Sequence, residues 1–221
     1  IMGILAYVFS LRMSKEKKLN VAIALTATIA SLYLAEISLL ILSQNKTNKD
    51  SLIEKKRYEI VEEYRSKGIE TFPMVPTLSL NGKPEIVKEP FSLGHISNVF
   101  IVSCKENAEW SAYHTDEYGY HNPPGSHSSD NDLVLLGDSF VEGKCVQEEE
   151  DLSSWFRKKG HKALNLGFGG NGPLLELATL IEYAKPLRPK KVLWFYYEGN
   201  DLSDLKNEML YPIVKNYFDT K

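Results

Sequence analysis

A chain of 221 residues with 26 Lys and Arg against 29 Asp and Glu has a formal net charge of −3. That balance, without a long basic tract, excludes an electrostatic case for nucleic acid as a partner. Its 43% hydrophobic and 25% charged residues are ordinary for a globular protein, and its two cysteines lack metal-ligand spacing, so neither a metal nor another cofactor is expected.

The amino-terminal fifth differs in kind from the rest. "IMGILAYVFSL" reads as the end of an earlier apolar span, and "RMSKEKK" as a basic loop, which with Leu19 and Asn20 make residues 1–20. Val21–Leu42 then forms an apolar run with one charge, Glu36. As a helix it covers roughly 33 Å at about 1.5 Å per residue, enough to cross a bilayer. Thr26, Thr28 and Ser31 are tolerable there because a helix returns their hydroxyls to its own carbonyls. A buried amphipathic core helix is the alternative. Basic residues flank both ends, so charge does not fix the orientation.

Residues 43–131 read as a lead-in. A polar exit from Ser43 is followed by a charged helix with a loose stripe of Leu52, Ile53, Tyr58, Ile60, Val61 and Tyr64. Residues 69–97 hold four prolines and an "NGKP" turn signal, and are expected to be irregular with short strands. "NVFIVSCKENAEWSAYHTDEYGYHNPPG" alternates aromatic and polar residues in a strand-like way and ends in a Pro-Pro-Gly break. Trp110, Tyr113, Tyr118 and Tyr120 within it are expected to pack in a core or edge strand, with sugar stacking as the alternative. Cys104 and Cys145 read as two separate buried thiols; a disulfide between them is the alternative in an oxidising compartment.

From Asp132 to Lys221 strands alternate with helices. "LVLLGDS" has the apolar run of a strand buried on both faces. "EEEDLSSWFRKKG" is a helix, with acids first, basic residues last and Gly160 as its stop. "KALNLG" is a second strand, and "NGPLLELATLIEYAK" a second helix with Pro173 in its first turn. "KKVLWFYYEGND" is a third strand. The alternation predicts a parallel α/β sheet with helices on its faces. The turns "GDS", "GFGGNG" and "EGND" each follow a strand, so they are expected to meet at the sheet's carboxyl edge, where ligands bind.

These three turns resemble the SGNH (GDSL-like) hydrolase superfamily over residues 132–203. "LLGDSFVEG" matches its serine block, "NLGFGGNGP" its Asn-x-Gly-x-x-Gly block through Asn165, Gly167 and Gly170, and "EGND" its Gly-x-Asn-Asp block, with Glu198 in place of the first glycine. "TDEYGYHNPPG" is similar to a lead-in found in membrane-anchored bacterial members linked to cell-surface polysaccharides. The resemblance implies a three-layer, flavodoxin-like fold, here incomplete, behind a transmembrane helix. It implies a serine esterase or deacylase acting on an acylated glycan or lipid. Ser139 is then the nucleophile, and the backbone N–H groups of Ser139 and Gly170 with the Asn200 amide are the oxyanion donors. Asp138 and Asp201 support the turns. The alternatives are an O-acyltransferase and a non-catalytic binding or assembly protein.

The family's base lies in a carboxyl-terminal Asp-x-x-His block. The five histidines here, His95, His114, His121, His127 and His161, all precede Asn200. The expectation is therefore that the catalytic Asp and His lie beyond Lys221, with a histidine of the segment "YHTDEYGYHNPPGSHSSD" as the alternative. The resemblance also implies a one- or two-span membrane protein with its α/β domain in the periplasm.

Overall fold

The computed structural model describes residues 14–74, 92–106 and 109–219. The span expected in residues 1–11 and the "NGKP" turn lie outside them. Contacts divide the chain into two compact units, Ile1–Glu54 and Lys55–Lys221.

Helix α1 (Lys15–Ser66) provides the described structure of the first unit and opens the second. The basic loop expected at 12–18 is helical from Lys15, and no break follows Leu42. No glycine or proline occurs between Lys15 and Ser66, so nothing in the sequence stops the helix. Its Lys15–Leu42 stretch is long and apolar enough to cross a membrane, and none of it is buried. Thr26, Thr28 and Ser31 donate to the carbonyls of Ala22, Ala24 and Ala27 at 2.7–2.9 Å, so these hydroxyls add no unpaired polar groups to the apolar surface.

In the second unit α1 ends at Gly68, whose φ of +80° is open to glycine without strain. Only part of the expected stripe is used: Val61 is fully buried, with Ile60 and Tyr64 beside it, against Val102, Ala112, Phe100 and Trp110. Leu52 and Tyr58 stay exposed. Strand β1 (Thr71–Pro73) runs parallel to β2 (Phe100–Glu106), which pairs antiparallel with β3 (Glu109–His114). Tyr113 and Tyr120 are buried as core residues, Trp110 is partly buried, and Tyr118 is half-exposed against His127 and Tyr183.

The register of the hairpin shifts between Val102 and Lys105. Cys104 lies at this irregularity and is disulfide-bonded to Cys145, with Cα atoms 5.4 Å apart. This corrects the expectation of two separate thiols. The partners are 41 residues apart in sequence and only the fold brings them together. Around the bridge, the Ser111 hydroxyl donates to the Lys144 carbonyl at 3.2 Å, and Ser103 donates to the same oxygen. Cys145→Ser is expected to cost about 2–4 kcal/mol, mainly through a less constrained unfolded chain. Urea unfolding of wild type with and without reductant checks it: reduced wild type should unfold at the variant's midpoint and oxidised wild type above it, and an indifferent wild type would show that the bridge carries no stability.

The second sheet is the expected one. Strands β4 (Leu133–Leu136), β5 (Ala163–Asn165) and β6 (Lys191–Trp194) are all parallel, in the order β5–β4–β6. β4 is central and buried at every position, which is why its four residues are apolar without alternation. A short helix α2 (Ser139–Glu142) follows β4, and α3 (Leu152–Lys158) follows in turn. Helix α4 (Pro173–Thr179) continues through a wider turn to Ala184; α5 (Asp201–Glu208) and α6 (Pro212–Asp219) close the chain. One core lies between β4, β5 and the residues after α4, through Val134, Leu136, Leu164, Leu166 and Ala184. Another joins α4 to α6 through Leu174, Leu175, Ala178, Tyr211 and Val214. The architecture is thus mixed α/β, with a small parallel sheet and a small mixed sheet.

Candidate functional site

The strand order β5–β4–β6 means that the chain leaves β4 toward one neighbour and returns on its other side. Such a reversal opens a crevice beyond the carboxyl end of the central strand. The residue that enters it is set by the turn after β4.

Asp138 caps that turn. Its Oδ1 accepts the Phe140 N–H at 2.9 Å, so the chain enters α2 with Ser139 as the first helical residue. Asp138 itself is buried, whereas Ser139 is only partly buried. Among the described residues the Ser139 hydroxyl has no hydrogen-bond partner.

The turn after β5 closes on α2. Asn165 is fully buried; its Nδ2 donates to the Val141 carbonyl at 2.8 Å, and its Oδ1 accepts the Gly167 N–H at 2.8 Å. A Cβ on Gly167 would lie 2.3 Å from the Glu142 nitrogen, so only glycine allows this loop so close to α2. A Cβ on Gly169 would come within 3.4 Å of the Ser139 Cβ. Gly170 follows with φ +91° and is exposed.

The turn after β6 reaches the same place. Asn200 Nδ2 donates to Asp204 Oδ2 at 2.9 Å and to Asp138 Oδ2 at 3.4 Å. Asp201 is buried and accepts the Tyr197 N–H at 2.6 Å, which fixes the turn that carries Asn200. The three turns therefore converge. Ser139, Gly170 and Asn200 come from separate strands, and Asp138 touches the third turn directly.

Acidic groups surround this corner. Glu176 on α4 is buried, and burial pushes its carboxyl up to about 8, with nearby Asp201, Asp138 and Glu208 adding to the shift. The Trp194 indole N–H donates to Glu176 Oε2 and works the other way. Burial also raises Asp201 and Asp204. Glu208 is fully buried and accepts the N–H groups of Gly172 (2.6 Å) and Leu174 (2.9 Å), so it caps an α4 whose N-terminal glycine has no side chain to do so.

The histidines lie elsewhere. His121 Nδ1 is 2.9 Å from the Glu142 carbonyl oxygen and its ring stacks on Tyr113; His127 Nε2 is 2.9 Å from Asp116 Oδ2. His161 meets Asp132, and the His114 ring lies against Phe100. His95 Nε2 is 3.1 Å from Glu142 Oε1. Among the described residues no histidine is hydrogen-bonded to Ser139. Two cavities of about 320 and 340 Å³, one including His121 and Arg157 and the other His161 and Lys191, do not include Ser139. No group of three metal-ligating side chains occurs among the described residues.

Two of these contributions escaped the sequence. Glu142 reads there as one charge in "FVEG", yet its side chain is only 1% exposed. Glu176 sits in an apolar stretch, "LLELATLIEY", with Glu182 as its other acid; an acid between Leu175 and Leu177 was the available signal. Comparison with protein-family models, with curated proteins and with solved structures finds no match to this chain.

Proposed function

We propose that the chain bears the nucleophile of a membrane-anchored SGNH-type esterase or deacylase that acts on an acylated glycan or lipid. The convergence of the three turns on Ser139 carries this reading. A serine at the start of a helix, beside a glycine loop and an asparagine amide, supplies a nucleophile and donors for the oxyanion formed when it attacks an ester carbonyl. The acyl group passes to Ser139 Oγ, the alcohol leaves with the proton, and water releases the acid. Asn200 holds its longer, 3.4 Å bond to Asp138, which is the bond to exchange for a substrate oxygen; such bonds are often loose in unliganded sites. The resemblance implies a base in an Asp-x-x-His block, and among the described residues no histidine is hydrogen-bonded to Ser139.

The Cys104–Cys145 disulfide supports an extracytoplasmic position for the unit that bears Ser139, since such bonds persist in oxidising compartments. The apolar stretch Lys15–Leu42 supports anchoring in the membrane.

The test is a fluorophosphonate probe applied to the intact protein in membranes. Wild type is expected to be labelled, and Ser139→Ala to lose the label completely. A folded wild type that takes no label would overturn the hydrolase reading and leave a binding or assembly role for the fold. Where labelling occurs, product analysis with an acceptor sugar present separates hydrolysis from acyl transfer.

A further inference from the structure

The site depends on one contact that the motifs do not contain. Glu142 ends the helix that Ser139 begins, and its side chain turns inward rather than to solvent. Its Oε2 accepts the Gly169 N–H at 2.5 Å. Its Oε1 accepts the Tyr113 hydroxyl at 2.7 Å and faces His95 Nε2 at 3.1 Å. Burial, followed by this carboxylate, pushes the Tyr113 phenol well above its ordinary range, so Tyr113 stays a donor. One carboxylate thus ties three segments together: the Ser139 helix, the loop that presents Gly170, and the lead-in that carries His95 and Tyr113.

The distance between two backbone donors sets how well an oxyanion hole fits a tetrahedral intermediate, and it has to be fixed before the reaction. Ser139 and Gly170 belong to different turns; a backbone hydrogen bond joins those turns two residues short of each, from the Phe168 N–H to the Gly137 carbonyl at 3.1 Å. The glycines at 167 and 169 remove side chains where the turns meet, which leaves a close but deformable approach. A charged acceptor on the amide next to Gly170 makes that approach rigid.

We infer that Glu142 is a positioning residue that locks the Gly169–Gly170 loop against the Ser139 turn, with Tyr113 and His95 holding its carboxylate in place. The role in catalysis rests on the Ser139 reading; the lock itself does not. Glu142 acts through the loop and touches no reacting atom.

Two measurements on the full chain in detergent test it: amide hydrogen exchange over residues 166–171, and the rate of fluorophosphonate labelling. Glu142→Ala is expected to lose protection in that segment while β4 keeps its own, and to label about 100-fold more slowly. Glu142→Gln retains an oxygen for the Gly169 N–H, so it should recover most of the protection and of the labelling rate. This variant keeps the test open if Glu142→Ala does not fold. Unchanged exchange at 166–171 in Glu142→Ala, or equal losses in the Gln and Ala variants, would overturn the lock. Loss of protection in a protein whose wild type takes no label keeps the lock and defeats the Ser139 reading instead.

Discussion

Asp151→Ala is expected to destabilise the folded unit by about 3 kcal/mol, well beyond the roughly 1 kcal/mol of an ordinary helix cap. Asp151 is 2% exposed and caps α3: its Oδ1 accepts the N–H groups of Ser153 (2.8 Å) and Ser154 (3.1 Å), and both serine hydroxyls donate to the carboxylate. Arg157, six residues along, lies 3.7 Å away, while its other donors are committed to Ala163, Asn122 and Ser154. Asn165 Nδ2 reaches the same carboxylate at 3.4 Å. Burial alone would raise this carboxyl; the nearby His121 and the serine donors outweigh it and hold it below the ordinary range. Alanine therefore removes a cap, leaves the Ser153 and Ser154 hydroxyls without their acceptor, and takes a nearby negative charge from a partly buried guanidinium that keeps its other hydrogen bonds. Asp151→Asn keeps an oxygen for the backbone and should lose only about half as much. Urea unfolding followed by the fluorescence of Trp155, on α3 itself, measures both. Equal and small losses would reduce Asp151 to a cap.

The same residue shows what the sequence made legible. In "EEEDLSSWFRKKG" the helix, its direction and its stop could be read from local chemistry, because caps and charged ends act within a few residues. The central strand β4 was equally plain, since a strand buried on both faces must be apolar throughout. The meeting of the three turns followed from sheet topology alone. Long-range pairing was not legible. Cys104 finds Cys145 through an irregularity in a hairpin, and Glu142 finds Gly169 only after both turns have folded. Neither contact leaves a mark within a few residues of either partner. The continuity of the apolar and the charged helix through Ser43 was not legible either. A change from apolar to polar composition alters where a helix is stable, but it does not end one without a glycine, a proline or a competing cap.

Glu176 sets the other large effect, on the dependence of stability on pH. Its carboxyl sits at about 8 in the folded protein, against an ordinary 4.5. Between these values the folded chain holds a proton that the unfolded chain has released. Stability is then full below pH 4.5, falls as pH rises through 8, and levels off above it. The window spans enough pH for a loss on the order of 4 kcal/mol. Asp201 and Asp204 are raised as well and act in the same direction. Geometry explains the proton: Oε2 takes the Trp194 indole N–H, while Oε1 has no partner among the described residues, and Asp138, Asp201 and Glu208 disfavour a further negative charge. Glu176→Gln replaces the neutral carboxyl with a neutral amide whose oxygen still accepts from Trp194. It is expected to leave stability near pH 5 within about 1 kcal/mol of wild type and to raise it at pH 9, flattening the slope between. Urea midpoints at one-unit steps from pH 5 to 9 give the comparison. A slope unchanged by Glu176→Gln would move the retained proton to Asp201 or Asp204, the carboxylates nearer Asn200. Stability at alkaline pH and the charge beside Asn200 would then be governed by the same group.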